Sequence, residues 1–196
     1  YTEEGDRLAA GWADAITVIP YEHYVMYGDK RTLYDNIGAM KAFVRFCRET
    51  SEGFIRPEGD NYDDWLNVGS ETDKAVLNTL YFAYSASLTA RACRIIGDGE
   101  EGEFAALYED IRRAFRAKFV DGDGTIKSDT QTAYLLAYAF GAMTKEEISG
   151  HLVRKLHEAD DHLVTGFLGV KFLLPVLCEI GESELCYKVL TRRSYP

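Results

Sequence analysis

The 196-residue chain lacks the short motifs that announce most enzyme classes. It has no GxSxG, no P-loop, no HExxH and no GxGxxG, so hydrolase-triad, nucleotide and zinc chemistries find no support. Its four cysteines (Cys47, Cys93, Cys178 and Cys186) form no CxxC pair and share no metal-ligand spacing with histidine. All four fall inside helical patterns, where they read as buried free thiols, which favours a reducing compartment. No signal peptide is visible, and no apolar run is long enough to span a bilayer. Positive charge is short: 22 Lys and Arg against 32 Asp and Glu leave a net charge of -10. Such a balance argues against a nucleic-acid surface or an anionic membrane. It suits a neutral or cationic partner, or serves solubility alone. Nothing calls for a cofactor or a metal, and no stretch reads as a strand.

What is present is helix. Apolar residues make up 46% of the chain, with 13 tyrosines and 10 phenylalanines, enough for one sizeable domain with a real core. The first helix runs from about Asp14 to Tyr27, interrupted or kinked at Pro20. The second, about Arg31 to Thr50, places Leu33, Ile37, Met40, Val44 and Cys47 on one face and turns Lys41, Arg45, Arg48 and Glu49 to water. A polar loop over 51–70 holds Asp63-Asp64-Trp65-Leu66. The capping-box pattern Ser70-Glu71-Thr72-Asp73 opens the third helix, which runs to about Ile96. The fourth, about Glu103 to Val120, is amphipathic. Asp121-Gly122-Asp123-Gly124 is a turn rather than a calcium loop, because the sixth and twelfth positions hold Ile126 and Thr132. Ser128-Asp129-Thr130-Gln131 caps the fifth helix, and Thr144-Lys145-Glu146-Glu147 the sixth, which ends near Glu158. The seventh spans about Phe167 to Ile180 with Pro175 inside it, and the eighth about Ser183 to Arg193.

The odd-numbered helices are apolar all round, whereas the even-numbered ones have one apolar and one charged face. One ring of helices would make them all amphipathic. Two concentric layers explain the difference, so the expected fold is all-α, an α/α-toroid of helical hairpins with odd helices inside. A closed toroid usually has six hairpins and this chain supplies four, so it reads as a single, incomplete α/α-barrel domain over 1–196. The chain also begins without methionine and has no evident stop, so it reads as an internal piece.

In that arrangement the loops entering the inner helices share a rim. They carry Trp12 and Asp14, then Asp63, Asp64 and Trp65, then Asp129, Thr130 and Gln131, then His162 and Thr165. Indoles beside carboxylates suit a carbohydrate: sugar faces stack on rings and carboxylates accept hydroxyl hydrogens. Each residue also has a plain structural reading. The tryptophans can be core residues, Asp14 a helix N-cap, Asp129 and Thr130 first-turn residues, Gln131 a capping-box partner and His162 a buried structural histidine. His23, His151 and His157 lie in helix bodies with no visible partner.

Gly11-Trp12-Ala13-Asp14-Ala15 with Ile19-Pro20-Tyr21, Tyr24 and Tyr27-Gly28-Asp29 resembles the middle of the bacterial α-L-rhamnosidase catalytic domain, glycoside hydrolase family seventy-eight. Asp64-Trp65-Leu66, Thr130-Gln131-Thr132-Ala133-Tyr134, His162-Leu163-Val164-Thr165-Gly166-Phe167 and Tyr195-Pro196 follow in the family's order. Asp63 departs from it, standing where the family usually has glycine. The resemblance implies a six-hairpin (α/α)6 barrel that removes terminal α-L-rhamnose from glycosides and oligosaccharides with inversion. It also implies sugar-contacting roles for Trp12 and Trp65, to which the shared rim adds Asp14, Asp64, Gln131 and His162 as candidate sugar-binding residues. The family's general acid motif lies upstream of Gly11 and its general base motif beyond Pro196. No catalytic carboxylate is therefore expected in this chain, which is expected to be inactive alone and to have the parent's remaining hairpins as its partners. The resemblance points to bacteria, where the thiols favour cytoplasm over periplasm or secretion. Two other readings stand beside it: another toroidal carbohydrate-active enzyme (an inverting hydrolase or a phosphorylase), and a non-enzymatic helical-repeat scaffold.

Overall fold

A computed structural model describes residues 9–59 and 62–194. Most of the entering segment 1–10 and the closing Tyr195-Pro196 lie outside the described residues. Among the described residues eight helices follow in order: α1 (Ala15–Tyr27), α2 (Lys30–Glu49), α3 (Lys74–Ile96), α4 (Glu101–Phe119), α5 (Gln131–Ala139), α6 (Lys145–Glu158), α7 (Phe167–Glu179) and α8 (Ser183–Thr191). Among the described residues the only extended pairing is two isolated bridges, Glu52 with Ile55 and Val120 with Ile126. No helix of the described residues is long and apolar enough to cross a membrane.

The chain divides into two compact units, residues 1–61 with 78–115, and residues 62–77 with 116–196. In the first, α1 packs on α2. Val44 and Cys47 of α2 meet Phe82, Ala83, Ala86 and Cys93 of α3, and Phe104 and Ile111 of α4. In the second, α5 packs on both α6 and α7, and α7 on α8.

The caps explain the helix starts. Asp29 accepts the Arg31 amide and Thr130 the Ala133 amide. Thr144 and Glu147 form the reciprocal capping box that the sequence pattern predicts. At α3 the cap is Asp73 itself, whose Oδ1 accepts the Val76 amide at 3.0 Å, rather than a box begun by Ser70. Helix α1 is not interrupted at Pro20. A proline there removes one ladder bond, to the Ile16 carbonyl, and the rest of the helix continues.

Burial separates the apolar helices. From Ala75 to Ala90, α3 is buried at every position except half-buried Tyr84, and seven of the nine residues of α5 are buried. In α1 only Thr17 and Pro20 are buried, while Ile19, Met26 and Tyr27 are exposed. Phe167 and Val170 of α7 are exposed as well. All-round apolarity therefore corresponds to all-round burial in α3 and α5, but one face of α1 and of α7 is left uncovered by this chain. Two further expectations change. Cys178 is exposed rather than buried. Lys41 does not face open water but pairs with Asp98 at 2.6 Å and Glu100 at 2.9 Å, with 14% of its side chain exposed.

Two ion pairs give the second unit a pH signature. Arg116 holds Glu147 at 2.5 Å and Arg154 holds Asp129 at 2.7 Å, and the Tyr134 hydroxyl donates to Asp129 as well. The hydrogen bond from Arg116 holds the Glu147 carboxyl down to about 2. For Asp129 burial alone would raise the pKa, but the bonds from Arg154 and Tyr134 outweigh it and bring it to about 2. A carboxyl depressed in the folded state contributes stability above its unfolded pKa and loses it as the pH falls through the folded one. The urea midpoint is therefore expected to be flat above about pH 5 and to fall towards pH 2. Glu147→Gln is expected to lower the plateau and make the fall shallower. Parallel curves for the two proteins would show that the Arg116 pair carries none of it.

Candidate functional site

The loop before α1 belongs to the first unit. Gly11 takes a left-handed φ of 82°, and the Trp12 and Ala13 amides both donate to the Ala9 carbonyl (3.1 and 2.9 Å). Asp14 occupies the N-cap position, but its side chain does not cap the helix. Its Oδ2 accepts the Gly11 amide at 3.0 Å and its Oδ1 the Ser85 hydroxyl at 2.5 Å. Thr17 closes the network, with its hydroxyl 2.8 Å from Ser85 Oγ and 2.9 Å from the Asp14 carbonyl. Burial pushes the Asp14 carboxyl above the usual carboxylate range, against the pull of Ser85, the Gly11 amide and the Arg56 charge. Asp14 thus pins the turn from inside, while Trp12, 37% exposed, stands outside it.

In the second unit three loops meet around Asp64. This carboxylate has no exposed surface. Its Oδ2 accepts the Gly166 amide at 2.7 Å and the Thr132 hydroxyl, and its Oδ1 accepts the Leu168 amide at 2.9 Å. Gly166 is the N-cap residue of α7. A loop some hundred residues earlier in the chain therefore supplies the acceptor that the first turn of α7 needs, with its charge at the positive end of the helix dipole. Backbone bonds run alongside, from Phe167 N to Trp65 O (2.9 Å) and from Val68 N to Val164 O (3.1 Å). The loop turns sharply to do this: Asp63 and Leu66 both take left-handed φ, 55° and 64°. Asp63 stands where the sequence resemblance leads one to expect glycine, and aspartate is among the side chains that tolerate this conformation.

The product of this scaffold is an exposed aromatic pair. Trp65 is 50% and Phe167 54% exposed, with ring centroids 5.4 Å apart and planes at 87°. Beside them a concave region of about 670 Å³ is lined by Leu66, Asn67, Val68, His162, Leu163 and Phe167, among others. Its size and mixed lining suit a small organic ligand.

Gln131 and His162 are less open than the sequence pattern suggests. Gln131 is buried, and its Nε2 donates to the His162 carbonyl at 3.0 Å while its Oε1 accepts the Val164 amide at 3.2 Å. It fixes the 162–164 segment instead of a capping box. His162 Nδ1 faces the Ala159 carbonyl at 3.0 Å and so carries the hydrogen. Its Nε2 then accepts from Arg192 Nε at 3.1 Å, with Ser194 Oγ at 2.8 Å. Asp129, held by Arg154 and Tyr134, precedes α5, and Thr130 is its N-cap, so neither is the first-turn residue of its structural reading.

Sequence reasoning assigned no role to Thr132, Ser85, Phe167 or Gly166. The first two are ordinary polar residues in helical runs, and only folding reveals their partners. Gly166 was legible as the glycine closing the Thr165-Gly166-Phe167 run, and Phe167 as the aromatic after it. Among the described residues no group of three or more His, Cys, Asp and Glu side chains is placed to hold a metal ion.

Residues 4–196 match the family model of the bacterial alpha-L-rhamnosidase 6 hairpin glycosidase domain. An alpha-L-rhamnosidase of Streptomyces avermitilis is 39% identical over 190 residues, covering 95% of this chain and 18% of its own length. One of Formosa agariphila is 38% identical over 203 residues, covering 97% of this chain and 22% of its own. The crystal structure of the Streptomyces avermitilis alpha-L-rhamnosidase complexed with L-rhamnose superposes with a TM-score of 0.92, covering 96% of this chain and 18% of that one. The native Aspergillus terreus enzyme, 23% identical, superposes with a TM-score of 0.89 and agrees in fold.

The class is therefore that of the six-hairpin glycosidases: all-α, with four helical hairpins of the (α/α)6 toroid present. The chain belongs to the bacterial α-L-rhamnosidase six-hairpin family. It spans about a fifth of the length of the curated relatives it matches.

Proposed function

We propose that the whole protein is an inverting glycoside hydrolase that removes terminal α-L-rhamnose from glycosides, and that this chain supplies sugar-contacting residues. The observation that carries the reading is Trp65. An indole half in solvent, beside a second ring and fixed by a buried network, is a ready stacking face. L-Rhamnose offers an apolar C6 methyl to such a face, and the Streptomyces relative was crystallised with that sugar. Trp12 is the corresponding exposed indole of the first unit. Asp14, Asp64 and Gln131 act on the sugar by holding the loops, since their polar atoms are already taken up inside the protein. His162 lines the concave region.

The bond-breaking groups lie elsewhere in the parent. Inverting hydrolysis needs one carboxyl against the glycosidic oxygen and another against a water. Asp14 and Asp64 are sealed from solvent and fully engaged, so neither serves. The apolar residues that α1 and α8 leave exposed, Ile19, Met26, Tyr27, Tyr187 and Leu190, are the faces on which the remaining hairpins pack.

Titration of the 196-residue chain with L-rhamnose is expected to shift its tryptophan fluorescence, with Trp65→Phe losing most of the change. The same chain is expected to leave an aryl α-L-rhamnoside intact while the full-length parent cleaves it. No fluorescence response, or an equal response to unrelated hexoses, would refute the sugar site. A parent that prefers another aryl glycoside would move the assignment to a different toroidal enzyme.

A further inference from the structure

Two of the four thiols are neighbours. Cys178, one residue from the end of α7, and Cys186, in the first turns of α8, face each other across the Ile180-Gly181-Glu182 turn. Cys178 Sγ lies 3.6 Å from Cys186 Sγ, at hydrogen-bond distance for sulfur, and Cys186 Sγ lies 3.6 Å from the Leu174 carbonyl. Cys178 is exposed and Cys186 buried. The hairpin that carries them packs directly helix on helix.

Cys47 and Cys93 are different. Both are fully inside the first unit's core, where burial pushes their thiols up to about 12 and about 11. Neither is offered to solvent. Burial raises the Cys186 thiol as well, so what sets the Cys178 and Cys186 pair apart is that its two sulfurs are neighbours and Cys178 reaches solvent.

We propose that Cys178 and Cys186 are a redox-active thiol pair, oxidised by peroxide to an intramolecular disulfide that ties α7 to α8. Cys178, the exposed member, reacts first. Its thiolate attacks one oxygen of hydrogen peroxide, the O–O bond breaks, and Cys178 becomes a sulfenic acid while the other oxygen leaves as hydroxide and takes up a proton to become water. The Cys186 sulfur then attacks the Cys178 sulfur, the S–O bond breaks, and hydroxide leaves with the Cys186 proton as a second water. In sum, two thiols and one peroxide give one disulfide and two waters.

The geometry favours this outcome over further oxidation. A disulfide needs sulfurs about 2.05 Å apart, so the pair must close by roughly 1.5 Å. Rotation of the exposed Cys178 side chain near a helix end supplies such a movement without unpacking α7. Cys186 is already in place to resolve the sulfenic acid before a second peroxide arrives. The consequence is mechanical. The N-terminus of α7 is held by Asp64, and the disulfide would hold its other end, so the helix that carries Phe167 becomes fixed at both ends.

The chain's own cleavage sites make the test direct. Trypsin cuts after Lys171 and Lys188, so both cysteines leave in one peptide, 172–188, whereas Cys47 and Cys93 leave in two others. The folded 196-residue chain is treated with hydrogen peroxide, quenched, unfolded in guanidinium chloride so that every remaining thiol is accessible, alkylated with iodoacetamide and digested. The expected result is that peptide 172–188 becomes about 2 Da lighter and takes no label, while Cys47 and Cys93 are labelled in full. The reaction is expected to run on the order of tenfold faster than in guanidinium chloride, where only chain proximity remains. Cys178→Ser is expected to abolish the mass loss and leave Cys186 labelled. Two labels retained on the peptide, equal rates in native and denatured chain, or sulfinic acid on Cys178 in place of the disulfide would each overturn the proposal.

Discussion

Replacing Asp64 by alanine is expected to destabilise the second unit by about 3–5 kcal/mol, measured as the unfolding free energy from urea titration. The estimate follows from what the substitution leaves behind. The Gly166 and Leu168 amides and the Thr132 hydroxyl all donate to this carboxylate. A buried donor that loses its acceptor costs about 1–3 kcal/mol, and neighbouring losses do not add fully. The helix also loses the charge at its N-terminus, a contribution of about 0.3–1 kcal/mol at an exposed site and more when partly buried. Asp64→Asn is the sharper variant because it keeps the volume. An amide brings two hydrogens of its own into a site whose neighbours are all donors, so it is expected to lose about 2–4 kcal/mol. Thr132→Val removes one donor and is expected to cost only about 1 kcal/mol. The near-UV circular dichroism of the Trp65 and Phe167 pair should collapse with Asp64→Ala and persist in Thr132→Val. An Asp64→Asn protein as stable as the parent chain would mean that the three bonds do not hold α7 in place.

This clamp marks the boundary of what the sequence makes legible. The order of eight helices follows from apolar spacing and from caps such as Thr144 with Glu147, because both are local. The burial of α3 from Ala75 to Ala90 and of most of α5 is equally visible, since neither stretch carries a charged residue. The same signal in α1 is not matched by burial, and here Ile19, Met26 and Tyr27 are open. At the site, the loops and the two indoles are readable from motif order, and so is the oddity of Asp63, whose left-handed φ of 55° is what a glycine would adopt freely. The partners of the polar residues are not readable. Asp14 has the sequence position of a cap and instead bonds to Ser85, 71 residues away. Gln131 has the position of a first-turn residue and instead braces His162 and Val164. A short polar side chain takes whichever partner the fold brings within about 3 Å, and local spacing carries no record of that.

Gly166→Ala is expected to be as damaging as the loss of Asp64, about 3–5 kcal/mol, for a reason of space rather than conformation. Gly166 has φ -87°, which any residue can adopt, so backbone freedom is not what glycine supplies here. A Cβ at this position would lie 2.2 Å from the Asp64 carbonyl oxygen and 2.4 Å from that of Trp65. Both are main-chain atoms, and both are held: Asn67 N donates to the first at 3.1 Å and Phe167 N to the second at 2.9 Å. No side chain can swing aside to relieve the clash. The two segments must part, and parting them breaks the Phe167-to-Trp65 bond and stretches the Gly166 amide away from Asp64. Gly38, in the middle of α2, is the natural contrast, because its added Cβ would meet nothing within 4 Å. Gly38→Ala is expected to stabilise the chain by about 0.5–1 kcal/mol through helix propensity alone. The double variant Asp64→Ala with Gly166→Ala should cost well under the sum of its parts, since each change opens the same junction. Strict additivity, or a Gly166→Ala protein within about 1 kcal/mol of the parent chain, would show that the 62–68 loop and the start of α7 are not locked together.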